Sequence, residues 1–487
     1  MNIKRFFHQY AVEIFLFLAT LFIRFPFFFR DYIDKDESTF ILMGQSIADG
    51  HLPYVHLWDL KPPLLFYFFA VIEKIFPHSF VAIRFCGVII VFLSAVFLMK
   101  IARQAGLKNG FLMALGYVVL SSEFGSLQGV MSEHLAVFFM LIGMVVFLKD
   151  RQKIIDFILA GLCFGCAILC KLNYAYAVAL LLLFYLINSS KSNKLKQNAI
   201  NLLALGFGIL LPVIVMAFPF VVSGKTGLFI NSVFLAPLKY ARALNFSFID
   251  KLKTSWWVLV LVGIVIYLAV RRANEATRRL VYVCSAILAG TVYTFFSSGI
   301  INGHYLVQVY PFILVLVFGV IIKKSITLEF PVAAIAVILV SLESLLEYTR
   351  LPKAIQNPSE YRATFKVLDE LKQKGLDRDK IFFADYHIGY WLLHQYPLTK
   401  STTHPSNLAR PYLFPYYNDS VQTSLEELKH ILEGIRPSVI VSETDGLKFF
   451  PGGTTEDAYF RNIVNRDFQM IYKDSTDRIY IWARQAR

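Results

Sequence analysis

Long apolar stretches alternate with short polar segments over residues 10–347 of this 487-residue chain, and polar residues dominate after that point. About 20 consecutive apolar residues cross the hydrocarbon core of a bilayer as a helix. The pattern predicts eleven transmembrane spans, of which 110–122 and 154–169 are short and need neighbouring protein or local thinning of the bilayer. The predicted spans are residues 10–29, 80–101, 110–122, 131–148, 154–169, 173–188, 198–222, 256–270, 279–297, 306–322 and 326–347.

The charges between the spans predict their direction. Every segment that the count places in the cytoplasm is basic, and a missed or invented span would reverse all later loops. We therefore expect a cytoplasmic N-terminus, an extracytoplasmic C-terminal segment and a plasma (inner) membrane location. We expect no cleaved signal, because residues 10–29 are long enough to span and no small-residue cleavage site ends them. The basic residues are Arg103 and Lys108; Lys149, Arg151 and Lys153; Lys191, Lys194 and Lys196; Arg271, Arg272, Arg278 and Arg279; Lys323 and Lys324.

Composition agrees with a membrane protein. Hydrophobic residues make up 56% of the chain, and the mean hydropathy is +0.56, which soluble proteins of this length do not reach. The formal net charge of +14 lies in clusters between apolar stretches, so we expect no nucleic-acid partner. All five cysteines fall inside apolar segments. Cys163 and Cys166 form a C-x-x-C without further ligands, which favours packing over zinc or redox chemistry.

The tail, residues 349–487, has a different pattern. Helical periodicity at 361–374 and 424–434 alternates with strand-like runs at 381–383, 438–441 and 478–482. Such alternation predicts a small α/β domain outside the membrane. Residues 1–348 are the predicted transmembrane domain.

The first outside loop, residues 30–79, carries two further helical patterns. Residues 38–49 are amphipathic and end at Gly50, a plausible C-cap, which suits a helix lying in the interface plane. A second interfacial helix is predicted over 62–76, because Pro62 and Pro63 fit the first turn of a helix.

Asp36 and Glu37 stand at the start of the first interfacial helix. One interpretation is an N-cap with acidic residues at the positive end of the helix dipole. The other is a chemical site, because further ionisable residues are predicted at the same outer level, where they are costly unless they function. These are Lys61, Arg84, Glu133, His134, Lys171 and His304.

A cavity that holds both carboxylates and cations suits a lipid-linked phosphate substrate. The lipid tail needs a membrane groove, and the anionic head needs Lys or Arg donors near the interface. A carboxylate can deprotonate an acceptor hydroxyl while the cations stabilise the phosphate leaving group.

Four motifs resemble glycosyltransferase family 39, in the bacterial branch related to protein O-mannosyltransferases and the lipid A aminoarabinose transferase. They are D-E-S-T-F at 36–40, G-H-L-P-Y at 50–54, W-D-L-K-P-P at 58–63 and G-H-Y-L-V-Q-V-Y-P at 303–311. The resemblance covers roughly residues 10–325 and is weak over the tail. It implies a GT-C fold, a polyprenyl-phosphate sugar donor and transfer with inversion at the anomeric carbon.

The resemblance also implies roles for residues. Asp36, with Glu37 beside it, matches the acid that acts as base or orients the acceptor, and Glu133 looks like a second acid. Lys61 matches a lysine that contacts the donor phosphate. Lys171 is similar to another, although Leu172-Asn173 follows it where relatives have Gly or Gln. His304 and Tyr305 lie in a loop that faces the substrate cavity in relatives. Apart from the resemblance, Arg84 is a further expected phosphate-binding residue, and Trp58, Asp59 and His134 are further expected cavity residues. Some GT-C enzymes use a divalent cation, but the sequence offers no ligand set for one.

The leading hypothesis is a membrane glycosyltransferase that moves a sugar from polyprenyl phosphate to an acceptor on the outer face. The acceptor can be a lipopolysaccharide component, another envelope glycan, a glycolipid or a protein. The alternative is a transporter or flippase for a lipid-linked sugar. That alternative explains the cavity but not the gathering of charges on one face, since transporters place ionisable groups near the midplane.

Overall fold

The computed structural model describes residues 9–190, 195–417 and 420–485. A helix or helix pair occupies each of the eleven apolar stretches predicted to span. Their bounds are Ala11–Arg24 with the 3-10 segment Phe25–Phe29, Phe80–Gln104, Gly110–Leu120, Ser132–Phe147, Ile154–Cys170, Tyr174–Ser190, Leu195–Val222, Phe248–Arg272, Glu275–Ser298, Tyr310–Leu314 with the π segment Val315–Ile321, and Phe330–Val340 with Leu342–Gln356.

Length separates these helices into two groups. Within the described residues, five are long and apolar enough to cross a membrane alone, and five more are apolar but have 10–17 residues. The chain is therefore a mostly helical, multi-pass membrane protein, whereas the count of eleven crossings stays a prediction. Lys191 and Lys194, which contribute to one predicted basic loop, lie outside the described residues, as do residues 1–8.

Two helices occupy the predicted span at 326–347. Phe330–Val340 and Leu342–Gln356 meet at Ser341 with a bend of 74°. The carboxylate of Glu123 accepts hydrogen bonds from the main-chain N–H of Glu343 at 2.7 Å and from the hydroxyl of Ser344 at 2.9 Å. These contacts satisfy donors that every helix start leaves unpaired, so a new helix begins where the apolar run ends.

Two helices in the first outside loop confirm the predicted pattern. They are Lys35–Ala48 and Pro63–Ile75, with Pro62 as the N-cap of the second. The first ends in a left-handed glycine, Gly50, with φ at +96°. The N–H groups of Gly50 and His51 return to the carbonyls of Ile47 and Ser46, which is the pairing of a Schellman motif.

A second set of short helices follows the seventh apolar helix, where the sequence analysis assigned none. Thr226–Ile230, the π segment Asn231–Leu235 and Ala236–Ala243 form a nearly continuous helical stretch. The predicted span at 256–270 also begins earlier, at Phe248, because the Ser247 side chain caps that helix by accepting from the N–H of Asp250.

The C-terminal segment holds a four-stranded mixed sheet: β1 (Ile381–Phe383), β2 (Val439–Ser442), β3 (Phe468–Asp474) and β4 (Ile479–Arg484). The strand order is β1-β2-β4-β3; β1 pairs parallel to β2, and β4 runs antiparallel to both of its neighbours. Three of these strands were predicted. The edge strand β3 was not, because only Phe468 of its seven side chains is buried and a bulge between Met470 and Tyr472 interrupts its register.

Helices pack on this sheet around Phe382, Ile440, Phe460 and Trp482. The helix predicted over 361–374 is present as Ala363–Gln373, preceded by Pro358–Tyr361. The helix predicted over 424–434 is Ser424–Lys429, continued by the π segment His430–Ile435. The remaining elements are Ile388–Leu392, Thr455–Asp467 and the 3-10 segments Gly125–Gln128, Gly303–Gln308, Lys400–Thr402, Pro405–Ala409 and Pro411–Tyr416.

The residues group into two compact units. The first contains Met1–Phe28, Arg84–Phe218 and Leu244–Glu347, and the second contains Phe29–Ile83, Pro219–Ala243 and Tyr348–Arg487. The first outside loop thus belongs to the same unit as the C-terminal segment. The division into a transmembrane domain, 1–348, and an outer domain, 349–487, stays a prediction.

Candidate active site

Asp36 is not the N-cap of its helix. That role belongs to Asp34, whose carboxylate accepts from the N–H of Asp36 at 2.8 Å. Asp36 and Glu37 both lie in the first turn, where their charge favours the helix dipole. Glu37 is buried, with 1% of its surface exposed, whereas the Asp36 side chain is 22% exposed. Of the two neighbouring acids, only Asp36 is therefore accessible to a substrate.

The carboxylate of Asp36 binds two basic side chains. The ammonium of Lys61 donates to Oδ2 at 2.9 Å, and Nε2 of His404 lies 3.3 Å from Oδ1. Lys61 is 20% exposed and His404 11%. All three residues belong to the second compact unit, with Asp36 and Lys61 in its first segment and His404 in its last. They form a partly open carboxylate–ammonium–imidazole cluster, which we call the Asp36 cluster.

The contacts of His404 determine the tautomer of its neutral ring. The main-chain N–H of Ser406 donates to Nδ1 at 3.2 Å, and the Ser406 hydroxyl lies 2.7 Å from the same atom. Nδ1 must therefore accept, so the proton of a neutral imidazole resides on Nε2. That nitrogen is the one that faces Asp36, at 3.3 Å from Oδ1.

Lys61 is held by its own main chain. Its N–H donates to the buried carboxylate of Asp59 at 3.1 Å, and its carbonyl accepts from the Tyr54 hydroxyl at 2.7 Å. Pro62 and Pro63 follow directly and restrict the backbone there. Asp59 therefore has a structural contact in the loop, and its predicted place in a substrate cavity stays a prediction.

Trp58 is a fully buried anchor of the same loop. Its indole N–H donates to the Ser232 hydroxyl at 3.0 Å, and its ring stacks on Tyr417 with centroids 4.1 Å apart. The main-chain N–H of Trp58 also donates to the Thr403 hydroxyl at 3.3 Å, next to His404 in the chain. These contacts tie the W-D-L-K-P-P segment to the part of the chain that supplies the imidazole.

A second layer of polar contacts lies behind the first turn. Lys35 donates to the buried carboxylate of Asp385 at 2.9 Å, and Nε2 of His387 lies 3.1 Å from the Thr39 hydroxyl. Burial raises the pKa of Asp385 above its usual value, with the Lys35 charge opposing the shift. Burial also lowers the pKa of His387 well below its usual value, and the charges of His404 and Lys35 act in the same direction. His387 is therefore neutral at physiological pH.

The first compact unit brings together another predicted group. Lys171 donates to Oε1 of Glu133 at 2.5 Å, and both side chains are buried. Nε2 of His304 lies 4.0 Å from the same oxygen, and the Lys171 ammonium sits 4.4 Å from the centre of the Tyr305 ring. Ser132 donates to the other carboxylate oxygen at 3.0 Å. Four residues predicted on separate helices and loops thus form one buried cluster, the Glu133 cluster.

Arg84 and His134 have main-chain partners. The guanidinium of Arg84, which is 1% exposed, donates to the carbonyls of Phe27 at 2.6 Å and Phe28 at 3.3 Å, at the end of the first apolar helix. His134 accepts from the N–H of Met131 through Nδ1 and donates from Nε2 to the carbonyl of Ser121 at 2.9 Å. These contacts give both residues structural roles, and their predicted substrate roles stay predictions.

The sequence analysis missed His404, His387, Lys35 and Asp385. His404 lies in a turn-rich stretch that no periodic pattern marks, and 367 intervening residues separate it from Asp36. The residues flanking it, Thr403 and Pro405, indicate only a turn. Among the described residues no group of three or more His, Cys, Asp or Glu side chains is placed to hold a metal ion.

The comparisons with known proteins bear on the family. Residues 60–218 match the family model described as dolichyl-phosphate-mannose-protein mannosyltransferase, a range that includes Lys61, Arg84, Glu133 and Lys171. No curated protein sequence matches the chain.

Two solved structures are similar to this chain. The structure of ArnT from Cupriavidus metallidurans bound to undecaprenyl phosphate has a TM-score of 0.51 and 14% sequence identity, and the match covers 96% of this chain and 97% of that one. The oligosaccharyltransferase of Archaeoglobus fulgidus tethered with an acceptor peptide matches with a TM-score of 0.47 and 12% identity, over 99% of this chain and 75% of that one.

The match with ArnT extends over nearly the whole length of both chains, so it confirms the predicted GT-C fold beyond the region of the family model. The chain is therefore a membrane protein with a GT-C fold, and residues 60–218 are similar to the dolichyl-phosphate-mannose-protein mannosyltransferase family.

Proposed function

We propose that this protein transfers a sugar from a polyprenyl-phosphate donor to an acceptor hydroxyl on the outer face of the membrane, with inversion at the anomeric carbon. The Asp36 cluster is the observation that carries the proposal. It presents a carboxylate and an ammonium 2.9 Å apart at the start of a predicted interfacial helix, both partly exposed. The binding of undecaprenyl phosphate by ArnT of Cupriavidus metallidurans supports a donor of this class.

Lys61 binds the donor phosphate in this mechanism. A phosphate competes with Asp36 for the ammonium, because two anions share one cation. When Lys61 turns to the phosphate, Asp36 loses the ion pair that stabilises its charged form and becomes a better base. Donor binding therefore activates the carboxylate that accepts the proton.

The transfer step forms one bond, breaks one bond and moves one proton. The acceptor oxygen attacks the anomeric carbon, and its proton passes to Asp36. The bond between the anomeric carbon and the phosphate oxygen breaks, and its electron pair leaves with polyprenyl phosphate, whose negative charge Lys61 stabilises. Nε2 of His404 lies 3.3 Å from the other oxygen of Asp36, and we assign it the role of orienting the base.

The Glu133 cluster is a second charged site in this proposal. Its ion pair is buried and self-neutralising, and His304 completes one side of it. In this proposal Lys171 serves as a phosphate ligand once it is released from Glu133. The acceptor stays open among a lipopolysaccharide component, another envelope glycan, a glycolipid and a protein.

The experiment compares Asp36→Asn with the wild type in proteoliposomes that contain a polyprenyl-phosphate sugar and an envelope extract. We expect Asp36→Asn to lower sugar transfer by at least about 100-fold, the usual contribution of a general base. Asp49→Asn is the matched control, because Asp49 lies at the other end of the same helix and bonds Tyr396 instead. Lys61→Ala should raise the KM for the donor.

Two results would contradict the proposal. One is normal transfer by a folded Asp36→Asn protein. The other is movement of intact donor between leaflets without release of polyprenyl phosphate, which is the outcome that the flippase alternative predicts.

A further inference from the structure

A cavity lies among helix ends in the first compact unit, away from the residues of both charged clusters. Its volume is about 430 Å³, within the range of roughly 300–1,000 Å³ that is common for small-molecule sites. It lies where the basic loops gather, on the side that the charge pattern predicts to be cytoplasmic. The lining residues are Phe147, Gln152, Phe184, Tyr185, Asn198, Glu275, Arg278, Arg279, Tyr282 and Val283.

One arginine of the lining is part of the wall. The Arg279 guanidinium donates to the carbonyl of Phe147 at 2.7 Å and to the side-chain oxygen of Gln152 at 2.8 Å. It also lies over the Phe147 ring at 5.4 Å. This arginine is fixed, and it gives the cavity a permanent positive charge.

The other polar members of the lining can receive a ligand. The Arg278 side chain is 52% exposed. Its guanidinium pairs with the carboxylate of Glu275 at 2.9 Å, and the Glu275 side chain is itself 87% exposed. An exposed ion pair of this kind contributes little and exchanges readily. The Asn198 side chain makes no hydrogen bond within the described residues and adds an amide donor. An anion entering the cavity therefore meets a fixed guanidinium, a movable one and an amide.

Aromatic side chains line the cavity, and the helix that carries one of them also has an exposed apolar face. Phe184 and Tyr282 pack with ring centroids 5.2 Å apart. On the helix that carries Phe184, the exposed side chains Leu183, Leu186 and Ile187 follow the i, i+3, i+4 spacing of one helix face. A ligand with a charged head and an apolar tail fits this arrangement. A soluble phosphate would contact only the charged side chains and leave the apolar stripe unused.

We propose that this cavity binds the phosphate headgroup of an anionic membrane phospholipid. Arg278 and Arg279 contact the phosphate, and the acyl chains lie along the Leu183 stripe. Basic pockets between membrane helices on the cytoplasmic side favour such lipids. This site is independent of the proposed sugar transfer, because it shares no residue with either charged cluster.

The test uses the full-length protein, purified in detergent, and native mass spectrometry during titration with phosphatidylglycerol. We expect Arg278→Gln to weaken phosphatidylglycerol binding about fivefold, since one basic side chain near the surface contributes about 1 kcal/mol to binding anionic lipid. Glu275→Gln should strengthen binding, because it removes the anion that competes for Arg278. Arg271→Gln is the matched control, since Arg271 is an exposed arginine nearby in the chain that does not line the cavity.

Separate arms distinguish the sources of the phosphate. The proposal predicts weaker binding of phosphatidylcholine and no displacement of phosphatidylglycerol by millimolar inorganic phosphate. Equal losses in Arg278→Gln and Arg271→Gln would overturn it in favour of diffuse charge attraction. Displacement of the lipid by inorganic phosphate alone would overturn it in favour of a soluble anion.

Discussion

At the scale of single residues, the proposed chemistry depends on the two different partners of the Asp36 carboxylate oxygens. One oxygen faces an ammonium that a phosphate can attract away, and the other faces an imidazole whose proton position is set by Ser406. The ammonium is removable, because Lys61 is a flexible point charge. The imidazole is not, because a main-chain N–H holds its other nitrogen.

His404 is accordingly a positioning residue in the proposed reaction. We expect His404→Ala to lower kcat about tenfold, the order of magnitude of one polar contact to a charged group. His404→Gln places an amide N–H near the position of Nε2 and should recover part of the activity. The measurement is kcat and KM for the donor together with the pH–rate profile.

The positioning role predicts a shift of the pH–rate profile, which a purely structural role of His404 does not. The acidic limb of the profile should move to higher pH in His404→Ala, because the charged carboxylate has lost a donor. An unchanged profile, or a loss that His404→Gln does not relieve, would contradict the positioning role.

At the scale of elements, the short helix Ile154–Cys170 lies directly against Leu195–Val222. Gly161 and Gly165 form a G-x-x-x-G pair on the first helix. On the second helix, Gly208 faces Gly161, and Ile209 and Pro212 face Gly165. A Cβ atom at Gly161 would lie 2.2 Å from the carbonyl oxygen of Leu205 and 3.0 Å from Cα of Gly208. Without a hydrophobic driving force between helices in lipid, such close backbone packing is a main source of association.

Gly161→Ala should therefore destabilise the protein. The obstructing atoms belong to backbone, which cannot move without separating the helices, so we expect a cost of about 1–3 kcal/mol, as for overpacking. The measurement is the apparent melting temperature of the purified protein in detergent. Gly206→Ala is the control, because a Cβ at Gly206 meets no heavy atom within 4 Å. A lower melting temperature in both variants would show that the helix contact is not the cause.

At the scale of the whole molecule, stability should depend on pH through buried histidines. Burial lowers the pKa of His387, and it also lowers the pKa of His78, whose ring stacks on Trp391 at 5.1 Å. A lowered folded-state pKa means that the unfolded chain binds more protons between that value and about 6.5. Stability is therefore present above about pH 6.5 and falls as the pH decreases through this window.

We expect the apparent melting temperature of the wild type to fall between about pH 7.5 and pH 5. His387→Gln removes one of the groups that must be protonated, so its melting temperature should change less over the same range. Asp385 acts in the opposite direction, because burial raises its pKa and the folded state therefore takes up a proton at a higher pH than the unfolded chain does. A wild-type melting temperature that is constant or rises on acidification would contradict this account.

The membrane part of the fold was largely predictable, because an apolar helix in lipid is specified by its own composition. The same holds for the two helices of the first outside loop, whose prolines and terminal Gly50 act locally. The bend at Ser341 was not predictable, since it depends on the carboxylate of Glu123, a residue more than 200 positions earlier. Strand β3 escaped prediction because an exposed edge strand has little hydrophobic alternation.

The sequence by itself determined the class of protein, the approximate helices, and the presence of Asp36 and Lys61 in one short loop, since composition and local spacing carry those properties. Only the tertiary structure decided which partners those residues have. Asp34 caps the helix, His404 reaches Asp36 from the C-terminal segment, and Glu133 pairs with Lys171. Contacts between distant segments depend on how the chain packs, and no local pattern of residue types encodes them.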